Sequence, residues 1–139
     1  LKFIQPSQLM TTPTTTSIRT CVYGTLLLGC LMMAGGFLSQ ASSLKSQEWL
    51  GIGLLLVWNW LPFLLVGYVA RRLSASPRSL WTLQAAATVL TIGVAIVVYR
   101  VFVSDTADSQ SGLAVMFLPA AQLAVSVPFL GLALVLRNR

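Results

Sequence analysis

The sequence predicts an all-α membrane protein: an antiparallel four-helix transmembrane bundle, N-in/C-in. Three observations predict it. Charged residues make up only 9% of 139 positions and apolar residues 56%, with a mean hydropathy of +0.82. Four apolar stretches follow one another, separated by short links. The basic residues gather on alternate links.

Composition sets the solvent. About a quarter of the residues of a soluble domain are charged. Nine basic and three acidic residues cannot build the water-facing surface of a 139-residue domain, so the apolar side chains face lipid. The length suits one domain. A net charge of +6 raises the question of nucleic acid, but no basic, aromatic-interleaved surface segment is present, so no nucleic acid is expected. Basic clusters beside apolar spans instead anchor a chain to anionic headgroups, and the lipid bilayer is the first expected partner.

The chain contains no His. That excludes haem held through His, His-based acid–base catalysis and the commonest zinc ligand. Cys21 and Cys30, if on one helix, lie about 13 Å apart along its axis, too far for a disulfide. No cofactor, no metal site and no catalytic residue is expected.

Residues 1–19 are polar and Thr-rich, carry Pro6 and Pro13, and predict a mobile N-terminal tail. Met10 stands where translation would start if the first nine residues are not part of the protein. Residues 20–139 form the predicted four-helix domain, with spans over 20–39, 48–70, 79–103 and 112–136. Each approaches or exceeds the roughly 20 residues that cross about 30 Å of hydrocarbon as a helix. Only a helix pairs every backbone N–H and C=O within such a segment. Links of about eight residues predict that sequence neighbours pack as antiparallel neighbours.

Charge sets the orientation. Lys2, Arg19, Arg71, Arg72, Arg78, Arg137 and Arg139 fall on one side of the predicted membrane. Lys45 and Arg100 fall on the other, with all three acids, Glu48, Asp105 and Asp108. The positive-inside rule places both termini in the cytoplasm, with Arg19, Arg71, Arg72, Arg78, Arg137 and Arg139 as anchors. Aromatic residues mark the boundaries: Tyr23, Tyr68 and Trp81 at cytoplasmic ends, Trp49, Tyr99 and Phe102 at external ends.

The first span has a competing reading as a targeting signal, with Arg19 before the apolar run and Ser39-Gln40-Ala41 as a small-residue cleavage site. Leu27-Leu28-Gly29-Cys30 also resembles a bacterial lipoprotein box. Apolar sequence continues past Cys30 through Leu31-Met32-Met33, which favours an uncleaved helix.

Polar residues inside the spans are the candidate site. Asn59 and Gln122 sit about equally deep in the second and fourth spans. Gln84, Thr88 and Thr91 share one face of the third span, and Pro119, Gln122 and Ser126 one face of the fourth. Asn59, Gln84, Thr88, Thr91, Gln122 and Ser126 therefore predict one interior polar seam, serving as interhelical glue or lining a ligand site. The seam is neutral, which excludes proton coupling through a buried acid or base. The small multidrug-resistance transporters are similar in size and helix number but carry a buried Glu in the first helix, and the first span here has no acid. A second cluster lies outside: Arg100 with Glu48, Asp105 and Asp108, expected to form an interfacial ion pair. Asp108, Ser109 or Ser111 is expected to cap the fourth helix. Pro62, Pro119 and Pro128 each free a carbonyl one turn earlier and favour a kink.

The stretch from Asp108 to Gly112 with Pro119 and Gln122 resembles short bacterial membrane proteins. That resemblance implies the bacterial inner membrane and no particular activity. The expected function is a non-enzymatic, multi-pass membrane protein that packs against another membrane protein, or against itself, as an accessory subunit, assembly factor or protector. A small transporter or channel, working as an oligomer around the amide-lined seam, is the alternative.

Overall fold

The computed structural model describes residues 12–40, 45, 48–72, 76–104 and 111–137, with the backbone alone at 12–14 and 111. Four helices fill these residues: α1 (Thr12–Ser39), α2 (Glu48–Arg72), α3 (Pro77–Val98) and α4 (Ser111–Arg137). One π-helical turn, Tyr99–Val103, continues α3. All four are long and apolar enough to cross a membrane. At most 28% of the most apolar window of any span is buried inside the bundle, so most apolar side chains face outward. Leu50, Phe117 and Leu38 are among the most exposed, at 76%, 68% and 63%. In water that surface would aggregate; lipid is its natural solvent.

The first helix begins at Thr12, not at residue 20, so residues 12–19 of the expected tail are helical. Pro13 lies in the first turn, where a missing N–H costs nothing and the fixed φ suits a helix. Threonines further along show how a helix accommodates this residue type, by bonding back to its own carbonyls: Thr20 Oγ1 donates to the Thr16 carbonyl at 3.0 Å and Thr25 Oγ1 to the Cys21 carbonyl at 2.9 Å. At the other end Ser39 Oγ donates to the Gly36 carbonyl at 2.7 Å.

The start of α2 is closed reciprocally. The Lys45 N–H donates to the Glu48 carboxylate at 3.1 Å, and the Glu48 N–H donates to the Lys45 carbonyl at 2.9 Å. This is the logic of a capping box, with an acid favourably placed at the positive end of the helix dipole. Arg71 and Arg72 occupy the last turn, where the dipole favours cations. Before α3, Ser76 is extended (φ −119°, ψ 122°) and Pro77 takes the first helical position.

The buried faces explain the packing. On α1, Ile18, Val22, Leu26, Gly29, Met33 and Gly36 are buried, at steps of four and three residues that alternate from Val22 onward. On α3, Leu80, Leu83, Ala87, Leu90 and Val94 repeat that spacing. On α2 it runs through Asn59, Phe63, Val66 and Ala70. Heptad spacing of this kind is the signature of left-handed, knobs-into-holes helix packing. Between lipid-solvated helices the gain comes from close van der Waals fit and hydrogen bonds, because lipid is as apolar as leucine.

Helix α3 has the widest buried face, adding Ser79, Ala86 and Thr91 to its stripe, and it packs most extensively on α1 and α4. Helix α2 packs on α4 and α1 and only lightly on α3. Sequence neighbours are therefore not always the main spatial partners: the short link between α2 and α3 joins the least intimate of these pairs. Past Val94 the α3 stripe continues through Val98 and Phe102, two successive steps of four that drift round an α-helix. The π turn takes an extra residue and carries Phe102 onto α1, where its ring meets Phe37 edge-on, centroids 5.5 Å apart.

Candidate functional site

The interior polar residues divide into three groups. The first joins α1 to α3 around Thr25. Gln84 Nε2 donates to Thr25 Oγ1 at 3.0 Å and to Thr88 Oγ1 at 3.3 Å, and Thr91 Oγ1 donates to the Thr25 carbonyl at 3.1 Å. Thr88 Oγ1 donates to the Gln84 carbonyl of its own helix at 2.9 Å. Thr91 is 8% exposed, whereas Thr88 is exposed and Gln84 half-buried. The second group joins α4 to α3: Gln122 Nε2 donates to the Leu90 carbonyl at 3.3 Å. Ser126 is fully buried one turn on, with Oγ donating to the Leu123 carbonyl at 3.0 Å. The third is Asn59, fully buried on α2, whose Nδ2 donates to the Leu55 carbonyl of its own helix at 2.8 Å.

The predicted seam is therefore not one hydrogen-bonded array. Gln84, Thr88 and Thr91 come together, with Thr25 as their hub, while Gln122 and Asn59 bond elsewhere. Thr25 is the residue that sequence reasoning missed. Its signal was a hydroxyl one position before buried Leu26 on an otherwise apolar span. Replacing Thr25 with Val removes the acceptor for Gln84 and leaves the backbone carbonyl for Thr91. Thr25→Val is expected to lower stability in mild detergent by about 0.6 kcal/mol, the average for bonds between membrane helices. Denaturant unfolding read by tryptophan fluorescence checks it.

Three amide oxygens, Asn59 Oδ1, Gln84 Oε1 and Gln122 Oε1, are buried without a hydrogen-bond partner, as is Trp60 Nε1. A second bridge holds α2 to α4: the Trp58 indole N–H donates to the Met116 carbonyl at 3.1 Å. Met116 follows Val115, whose carbonyl Pro119 leaves without its helical donor, so the indole bonds within the turn that the proline interrupts. Pro62 and Pro119 are buried, and Pro128 faces outward.

Glu48 and Arg100 do not form the expected ion pair. The Glu48 carboxylate closes the start of α2, and Arg100 is exposed on the π turn. Asp105, Asp108 and Ser109 lie outside the described residues, as do Arg139 and Lys2, and the Ser111 side chain is not described. Among the described residues no group of three or more His, Cys, Asp or Glu is placed to hold a metal ion.

The described arginines lie near helix ends, Arg100 apart. Arg71, Arg72, Arg78 and Arg137 are exposed, and Arg19 is half-buried on α1. The Arg72 guanidinium lies over the Tyr68 ring at 5.4 Å. An open groove of about 520 Å³ runs between α1 and α2, walled by Leu26, Leu27, Cys30 and Leu64 and ending at Tyr23 and Arg71. A second hollow of about 370 Å³, lined by Tyr68, Arg71 and Arg72, adjoins it.

No known protein family, curated protein or solved structure matches this chain. Four apolar helices of these lengths fit a small, multi-pass integral membrane protein.

Proposed function

We propose that the chain is a non-enzymatic membrane protein that works through its apolar flank. In this reading it packs against another membrane protein as an accessory subunit, assembly factor or protector. The observation that carries the reading is how its interior polarity is used. The side-chain donors of Thr91, Gln84 and Gln122 are spent on holding helix to helix. With the interior closed in this way, the outer surface is what remains for recognition. Trp49 and Trp58 lie on that surface, 47% and 42% exposed, and aromatic residues are enriched in the cores of protein interfaces.

The reading includes alternating helix direction. Thr25 meets Gln84 and Phe37 meets Phe102, which supports a common direction for α1 and α3. Tyr23 lines a groove with Arg71, which supports the reverse direction for α2. The end where Arg19, Arg71, Arg72, Arg78 and Arg137 then gather belongs in the cytoplasm, with both termini, and the bacterial inner membrane is the proposed location.

Gentle-detergent purification of the tagged chain from its native membrane, with prior in-membrane crosslinking from positions 49 and 58, tests the role. A recurrent membrane-protein partner, lost when Trp49 and Trp58 are changed to Ala, is the expected result. Repeated recovery of the chain alone, with every co-expressed membrane complex unchanged in a deletion strain, overturns it. A specific observation also supports the transporter or channel alternative: the unpartnered oxygens of Asn59, Gln84 and Gln122 offer acceptors to a polar solute.

A further inference from the structure

We infer that the groove between α1 and α2 is a binding site for one anionic phospholipid, its phosphate at Arg71 and Arg72 and an acyl chain along the groove. The two hollows meet at Tyr68 and Arg71, so apolar and cationic surfaces are continuous. The larger, about 520 Å³, lies within the roughly 300–1,000 Å³ typical of small-molecule sites. Its wall is mostly apolar, with Phe63 beside the leucines, and its rim residues Leu27 and Leu64 are each 60% exposed, open to the surrounding hydrocarbon. Gly67 keeps it open: a Cβ there would lie 3.5 Å from Leu26 Cδ1 and 3.9 Å from Tyr23 Cε1, so a larger side chain extends into the groove.

Charge selects the headgroup. Arg71 and Arg72 lie side by side at the end of α2, and Tyr68 holds the Arg72 guanidinium at the mouth of the smaller hollow. Glu48, the one carboxylate among the described residues, begins the same helix about 35 Å away. No described acid competes for the two guanidiniums. Basic pockets between membrane helices are suited to anionic headgroups, and tyrosines favour that depth of the bilayer. The inference stands apart from the proposed role as an accessory protein and does not depend on it.

The test is native mass spectrometry of the full chain in mild detergent, titrated with phosphatidylglycerol, phosphatidylcholine or inorganic phosphate. The expected result is one phosphatidylglycerol per chain, preferred over phosphatidylcholine by on the order of tenfold for two arginines near an anionic lipid. Arg71→Gln with Arg72→Gln is expected to erase the preference while lipid is still retained. Gly67→Leu is expected to abolish retention of both lipids with the arginines intact. Leu27→Trp, at the exposed rim, serves the same purpose if Gly67→Leu does not fold. Equal retention of the two lipids by the unaltered chain overturns the inference, as does undiminished retention in the groove-filling variants. Displacement of the lipid by millimolar phosphate also overturns it, showing a free-anion site instead. A copurifying protein segment crosslinked to position 27 overturns it in favour of a helix in the groove.

Discussion

Gly29→Leu is expected to destabilise the bundle by about 1–3 kcal/mol or prevent its folding, the range for overpacking a filled interior. Gly29 is buried where α1 meets both α2 and α3. A Cβ at that position runs into the edge of the Phe63 ring, and lies 2.9 Å from Phe63 Cζ and 3.0 Å from Thr91 Oγ1. Phe63 is 2% exposed and could give way only by turning into the groove between α1 and α2, out of its packed position, and moving Thr91 breaks its bond to the Thr25 carbonyl. One added side chain therefore disturbs two helix contacts. Gly24 and Gly35, on the same helix, have nothing within 4 Å of an added Cβ. Gly24→Leu and Gly35→Leu are expected to change stability by less than about 0.5 kcal/mol, as surface substitutions usually do. Unfolding midpoints of the three variants in one mild detergent make the comparison. Equal effects at positions 24, 29 and 35 would refute the packing described for α1.

Asn59→Leu is expected to stabilise the protein, by on the order of 1 kcal/mol, in contrast to most core substitutions. The side chain is fully buried, its Oδ1 has no partner, and its Nδ2 reaches only the Leu55 carbonyl of its own helix. That carbonyl already accepts the normal helical bond, so losing the side-chain donor leaves nothing unpaired. The substitution removes an unsatisfied acceptor and supplies an apolar group of similar size. The same variant separates the two functional readings. Reconstituted into vesicles, it should leave any partner binding intact if the interior is only structural. Loss of a solute flux that the unaltered chain supports would place Asn59 on a pathway and favour the transporter alternative.

The four spans were legible because lipid imposes a length and a composition on any helix that crosses it. The boundary of α1 was not legible: Thr14, Thr15 and Thr16 have polar side chains and read as a tail by composition, yet threonines can satisfy their hydroxyls on the helix itself, as Thr20 does on the Thr16 carbonyl. The buried rank of Asn59, Gln122 and Ser126 followed from the cost of polar groups in hydrocarbon. Their partners did not follow, because periodicity gives a face but not the neighbour it meets. Thr88 shares a predicted face with Gln84 and Thr91 and is nonetheless exposed, since the stripe of α3 passes between Ala87 and Leu90. On α1 the close approaches fall at Gly29 and Gly36, seven apart, and not at the four-residue spacing usually sought. The π turn left no sequence signal beyond a core position one residue late.

The pairing of α1 with α3 has a consequence for biosynthesis. A ribosome delivers α1 and α2 to the membrane before α3 has been made, so α1 waits in lipid for its principal partner. Thr25 is equipped for that interval: its hydroxyl proton is committed to the Cys21 carbonyl of its own helix. Only its acceptor lone pair and backbone oxygen remain to be claimed when Gln84 and Thr91 arrive. The clasp thus asks nothing of the first two helices while they stand alone, and closes once the third helix is delivered.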